Sequence, residues 1–299
     1  MWLLICLPCE KQRAQRQSVE WRKLDTTVTS TNLELATQHA IDLYLTSCTI
    51  PLVQEGHGQV AVLGTANLFR VLGRTFLVTA NHSFNNFEPE SVGIPVALSD
   101  GQRICATLDN CRRYYWPDER LDVAIVEVLN PSLLASIDRT GYIYLGPEDV
   151  APYQAGFEQY VLVGFPSAVA IVKGNNLWPR AVKITTSVFL GTPPENFSAR
   201  DEFLLVHELA GETKTGETVE SFRLNGVSGA AVWGIKASPT CGVWQPNQHI
   251  RLVGVQTACL HGTYIRGQQW WLAARMFQKI SPELGNLFLQ RMDSREEAP

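Results

Sequence analysis

This chain carries little charge for its size. Lys, Arg, Asp and Glu make up 18% of its 299 residues, against roughly a quarter in ordinary soluble domains. Neither sign dominates, since 25 basic and 29 acidic residues leave a formal net charge of −4. Nucleic acid and anionic lipid attract proteins with a basic field, so neither is an expected partner. No apolar run reaches the about 20 residues needed to cross a bilayer, so no spanning helix is expected. His-Glu-x-x-His is missing and the histidines have no metal-ligand spacing, so no metal or cofactor is expected. There is no internal repeat and no low-complexity block.

Cysteine occurs seven times, at 6, 9, 48, 105, 111, 241 and 259. The count is odd, and a chain this long folds without staples. Cys6 and Cys9 form a single Cys-x-x-Cys and read as an unpaired tail motif. Most of the others lie among apolar residues and read as small buried hydrophobes in a reducing, cytoplasmic setting. The opening Met1-Trp2-Leu3-Leu4-Ile5 lacks the basic start and small-residue cleavage site of a signal peptide and reads as tail.

What is present is a large apolar fraction, 45%, ample for a core or two. Residues 1–30 read as a poorly ordered tail. Residues 32–47 carry apolar positions at helical spacing behind Asn32, a good N-cap. From residue 50 the period shortens to that of strands, with Gly73 marking a hairpin turn. Strands are expected at 60–63, 66–72, 74–79, 94–98, 103–108, 122–128, 141–145, 159–164, 182–190, 203–208, 230–234, 251–257 and 270–274. The proline- and glycine-bearing stretch 130–154 reads as a linker between two β units, 209–220 as a surface loop, and 276–292 as a terminal helix behind Ser281 and Pro282. Short strands in this number predict an all-β protein built as two barrels. The expected division is 1–30 tail, 31–150 first barrel with a leading helix, 151–275 second barrel, and 276–299 helix and tail.

Three segments carry chemistry. Asn225-Gly226-Val227-Ser228-Gly229-Ala230 sets a serine in a glycine turn. Phe76-Leu77-Val78-Thr79-Ala80-Asn81-His82 ends an apolar strand on a histidine. Leu121-Asp122-Val123-Ala124-Ile125-Val126 starts a strand with an aspartate. A serine hydroxyl needs a nearby base to take its proton during attack. Histidine, with an ordinary pKa of about 6.5, suits that task. A carboxylate fixes the imidazole tautomer and stabilises the imidazolium. The backbone N–H groups of Gly226 and Ser228 are the expected donors to a developing oxyanion. His82, Asp122 and Ser228 are therefore the candidate catalytic residues, in the chain order His, Asp, Ser.

These motifs resemble those of the trypsin-like, chymotrypsin-fold serine peptidases, and within them the stand-alone bacterial type. Gly64-Thr65-Ala66-Asn67-Leu68-Phe69 is similar to the strand before the family's histidine motif, and Gly164-Phe165-Pro166 to the turn opening its second barrel. Val253-Gly254-Val255 resembles the strand that lines the cleft. The resemblance spans roughly residues 55–275. It implies two six-stranded antiparallel barrels with the site between them, a peptide or protein substrate, and cleavage through an acyl-enzyme. It also implies substrate contacts at Val255, Gln256 and Thr257, and a pocket floor at Phe222, with Ser221 or Arg223 as alternatives. Phe222 favours an apolar or shallow pocket.

The departures are informative. Val227 stands where digestive members carry an acid, and no Arg-Ile-Val-Gly-Gly-like activation site is present, so the usual zymogen switch is not expected. Two rival readings remain, a protease fold kept as an inactive binding module or latent enzyme, and an esterase of small acyl substrates. Asp118, in an exposed turn, rivals Asp122 as the acid. His57, His207, His249 and His261, and Trp270 and Trp271, read as structural. Oligomeric state has no signature in the sequence.

Overall fold

The computed structural model describes residues 30–56, 59–85, 87–154, 156–173, 176–212, 217–221, 223–236 and 249–293. Helix α1 (Ser30–Ser47) leads into β1 (Thr49–Gly56), β2 (Gln59–Val71), β3 (Arg74–Ala80), β4 (Val92–Ala97), β5 (Arg103–Thr107), β6 (Cys111–Tyr115) and β7 (Val123–Val128). Helix α2 (Pro131–Thr140) follows, then β8 (Gln159–Gly164), β9 (Ile171–Lys173), β10 (Asn176–Trp178) and β11 (Val182–Thr186). The chain continues through β12 (Glu202–Val206), β13 (Ala210–Glu212), β14 (Thr218–Glu220), β15 (Ala231–Ile235), β16 (Ile250–Leu260) and β17 (Tyr264–Gln269). Helices α3 (Trp270–Ile280) and α4 (Pro282–Asp293) end the described chain.

The architecture is all-β, as expected. One antiparallel sheet has the order β5-β4-β1-β2-β3-β7-β6 and the other β11-β8-β15-β16-β17-β12. Both curl into half-barrels whose central strands are buried on both faces, which is why those strands read as continuous apolar runs. On β7, Val123 and Ile125 face a core shared by the two sheets, while Val126 and Val128 face the interior of the first. On β15, Ala231 and Trp233 join the shared core and Val232 the interior of the second. This period of two places the sheets back to back and turns the ends of β3, β7 and β15 toward one another.

The shared core is capped by the terminal helices. Trp270 stacks on Phe69 at 4.9 Å, and Phe277 packs edge-on to Phe76 at 5.1 Å and stacked on Phe288 at 4.6 Å. The structure departs from the sequence expectations in four segments. Residues 270–274 form the start of α3, because Trp270, Ala273, Ala274 and Phe277 are buried at helical spacing. Residues 141–145 form no strand; Gly141 ends α2 in the left-handed conformation (φ 81°), and Leu145 makes only an isolated bridge to Phe69. The stretch read as a linker contains α2, capped by Asn130 Oδ1, which accepts from Ser132 and Leu133 N–H. The 209–220 loop holds the β13–β14 hairpin.

Among the described cysteines, Cys48, Cys105, Cys111 and Cys259 are all free thiols. Burial pushes Cys111 and Cys259 each up to about 11. No described helix is long and apolar enough to cross a membrane. Residues 1–29, with Cys6 and Cys9, and positions 57, 222 and 241 lie outside the described residues.

Candidate active site

Strand register brings His82 and Asp122 together. β3 and β7 run antiparallel with Ala80 opposite Val123, so the residues just beyond Ala80 meet those just before Val123. Asn81 N–H continues the ladder to the Asp122 carbonyl at 3.2 Å. The chain then tightens into a single 3₁₀ turn, Asn81–Phe84, that swings His82 back over the aspartate. Asp122 Oδ1 accepts the His82 main-chain N–H at 2.8 Å, and Oδ2 lies 2.5 Å from His82 Nδ1. An ionised carboxylate only accepts, so Nδ1 is the ring nitrogen that donates to it, the tautomer that in a neutral imidazole leaves the lone pair on Nε2. The side chains are 38% and 21% exposed, placing the pair at the rim of the core.

The turn is braced from β6. Arg113 donates to Asn81 Oδ1 at 2.6 Å and to the Asn81 carbonyl at 3.2 Å, and its guanidinium lies over the Phe84 ring at 5.0 Å. Burial lowers the Arg113 pKa from its ordinary value, although an arginine stays charged at any working pH. From the second sheet, Gln268 Nε2 donates to the Arg120 carbonyl at 2.5 Å, two residues before Asp122.

Ser228 sits in the turn between Leu224 and β15. The turn needs two left-handed glycines, Gly226 (φ 89°) and Gly229 (φ 92°). A methyl group at Gly229 would stand 2.0 Å from the Thr65 carbonyl oxygen and 2.8 Å from Ala80 N. The turn is thus seated directly on the end of β3, two residues before His82. Gly226 and Ser228 N–H have no acceptor among the described residues, whereas Val227, Gly229 and Ala230 N–H donate to Leu224, Gln256 and Val227 carbonyls. No hydrogen bond joins His82 to Ser228 among the described residues.

The expected substrate contacts fall differently. Phe222 lies outside the described residues, while Ser221 is half-buried and Arg223 exposed. Val255 is buried in the shared core, and Gln256 (1% exposed) and Thr257 (6%) are buried too. β15 pairs with β16 as far as Ala231 opposite Val255, Gln256 is still bonded through its N–H and carbonyl to Ala230 and Gly229, and the β15-facing edge of β16 runs on past Gln256. A bulge between Gln256 and Ala258 marks the same place on the β17 side. Asp118 is engaged by Arg120 at 2.8 Å in an exposed turn, and the carboxylate hydrogen-bonded to His82 is that of Asp122. His207 packs on His261 with ring centroids 5.1 Å apart and contacts Ser221 Oγ at 3.4 Å. A cavity of about 490 Å³ beside Tyr153, Trp271 and Arg275 shares no residue with the site. No group of three or more metal-ligating side chains exists among the described residues.

Sequence reasoning overlooked Arg113 and the buried polar residues Thr65, Asn67 and Thr79. For Asn67 a signal was there, a carboxamide inside the apolar run Ala66-Asn67-Leu68-Phe69.

No protein-family model matches the chain, and no curated protein matches it. Several solved structures are similar to it. The inactivated protease paralogue S-D1 of the scabies mite is 11% identical, with 81% of this chain and 95% of that one covered and a TM-score of 0.48. The VesB protease of Vibrio cholerae is 13% identical over 81% of this chain and 65% of that one, TM-score 0.46. The inactive form of Rv3671c protease is 11% identical over 82% and 95%, TM-score 0.44. All three TM-scores are below 0.5, and the functional reading rests on the site geometry.

Proposed function

We propose that the chain is a serine endopeptidase. Ser228 attacks the scissile carbonyl, His82 Nε2 takes its proton and later returns one to the leaving amine, and Asp122 holds the imidazole in the required tautomer. Gly226 and Ser228 N–H receive the developing oxyanion. The observation that supports this reading is the two-point hold of Asp122 on His82, together with the seating of the Ser228 turn on the end of β3, two residues before His82. A peptide fits as an added strand on the edge of β16 beyond Gln256, at Thr257–Leu260, where backbone groups supply affinity. No step calls for a metal or cofactor.

Hydrolysis of a peptide library tests the proposal. Ser228→Ala should remove about six decades of rate, as triad deletions do elsewhere. Equal cleavage by both proteins would overturn it. One observation favours a second reading, a latent protease fold: His82 and Ser228 are not hydrogen-bonded. Such bonds often tighten only with substrate in place, and a folded protein that cleaves nothing in the library would support latency.

A further inference from the structure

We propose that Thr65 and Asn67, two buried polar residues of β2, are positioning residues for the turn that carries Ser228. The catalytic consequence rests on the peptidase reading above; the structural claim stands apart from it.

Both residues are fully buried, and a buried hydroxyl or carboxamide must be partnered or it costs stability. Most of their partners lie outside their own sheet. Thr65 Oγ1 donates to the Gly226 carbonyl at 2.8 Å and accepts Phe165 N–H at 3.1 Å. Thr65 N–H donates to the Ser228 carbonyl at 2.8 Å. Asn67 Nδ2 donates to the Gly229 carbonyl at 2.8 Å, and its Oδ1 accepts Ala231 N–H at 3.3 Å. Thr79 Oγ1 closes the ladder on the Thr65 carbonyl at 2.6 Å. The carbonyls of Gly226, Ser228 and Gly229 are therefore all held on the β2 side.

A peptide unit is planar and trans, so its N–H points opposite its C=O. Holding the Gly226 carbonyl sends Val227 N–H to the Leu224 carbonyl at 2.9 Å, and holding the Ser228 carbonyl sends Gly229 N–H to the Gln256 carbonyl at 2.7 Å. The remaining carbonyls are tied the other way, Val227 by Ala230 N–H at 2.9 Å and Asn225 by Ser167 N–H at 2.8 Å. Ser228 and Gly226 N–H, on the opposite side of these peptide units, have no acceptor among the described residues. Gly226 has no side chain to restrain its own torsions, so Thr65 supplies the restraint from another sheet.

The test replaces the hydroxyl while keeping the shape, with Thr65→Val, and restores it with Thr65→Ser. Two readouts are followed: backbone hydrogen exchange across residues 224–231, and the rate of phosphonylation by a fluorophosphonate probe. Thr65→Val should speed exchange at Val227, whose N–H shares a peptide unit with the Gly226 carbonyl, by about tenfold, with β3 and β7 unchanged. Its maximal labelling rate should fall about 10- to 100-fold at unchanged probe affinity, and Thr65→Ser should recover most of both. Thr65→Ala, which removes the hydroxyl without adding bulk, is judged by the same readouts should the valine variant not fold. Wild-type exchange in the turn, or uniform loosening of both sheets, would overturn the assignment. If the wild-type protein takes no probe, the peptidase reading fails and exchange alone decides the positioning claim.

Discussion

Asp122 grips His82 at two points, accepting the main-chain N–H at Oδ1 (2.8 Å) and meeting the ring nitrogen Nδ1 at Oδ2 (2.5 Å). The first contact fixes where the histidine's backbone sits, and the second fixes how its ring is turned and which nitrogen carries the hydrogen. Asp122→Asn separates these roles. An amide in place of Oδ2 would donate toward Nδ1 and push the hydrogen onto Nε2, the wrong tautomer for a base. The rate should drop about 10⁴-fold while the thermal midpoint stays close to wild type. Parallel measurement of both quantities checks this; a large drop in the midpoint would recast Asp122 as a structural residue.

The two glycines flanking the serine should differ in tolerance. A methyl at Gly229 meets the Thr65 carbonyl oxygen at 2.0 Å and Thr79 Oγ1 at 2.1 Å, while one at Gly226 meets the Phe165 carbonyl oxygen at 2.7 Å. Both positions have positive φ, which adds about 1 kcal/mol or more of backbone strain for alanine. Gly229→Ala should therefore cost about 3 kcal/mol or more, and Gly226→Ala distinctly less. Urea unfolding midpoints of the two variants measure the order, and a reversed order would contradict the seating of Gly229 on β3.

Much of this was legible beforehand. His82, Asp122 and Ser228 stood out because strand ends and glycine turns leave marks in the sequence, and the central strands because burial on both faces demands unbroken apolar runs. Helix α2 was marked too, by Asn130 as cap, Pro131 at the first position and Gly141 at the end, but a proline and a glycine so placed resemble a linker's. Residues 270–274 are apolar enough to pass for a strand. Only the helical spacing of Trp270, Ala273, Ala274 and Phe277 distinguishes the two, and that shows once the window extends past 274. The hold of Thr65 and Asn67 on a turn some 160 residues later has no local signature, because it depends on how the two sheets dock.

Phe277 is the keystone of the aromatic cap over the shared core, with Phe69, Phe76 and Phe288 around it. Phe277→Ala should destabilise the protein by about 3–5 kcal/mol, as large-to-small core changes do. Phe277 lies in the shared core and not among the site's side chains, so labelling of Ser228 should weaken only as far as the folded fraction does. Denaturant unfolding alongside probe labelling checks both halves of this statement.

His207 ties acid stability to the second sheet. Burial, then the neighbouring His261, lowers its pKa below the ordinary histidine value. The folded state therefore favours the neutral ring, and as pH falls below about 6.5 the unfolded chain takes up a proton first. Stability should decline from that pH down to the lowered pKa of His207 and then level off for this group. In His207→Gln that part of the slope should vanish, as read by unfolding free energy between pH 7 and 5. An unchanged slope would show that other groups set it.

The central claim is an assembled, activated Ser228, and the most direct measurement is labelling of the purified protein with a fluorophosphonate probe, beside Ser228→Ala and His82→Ala. Labelling of wild type alone, mapped to Ser228, is the predicted result. A folded wild type that takes no label, or label that survives Ser228→Ala, would contradict the account.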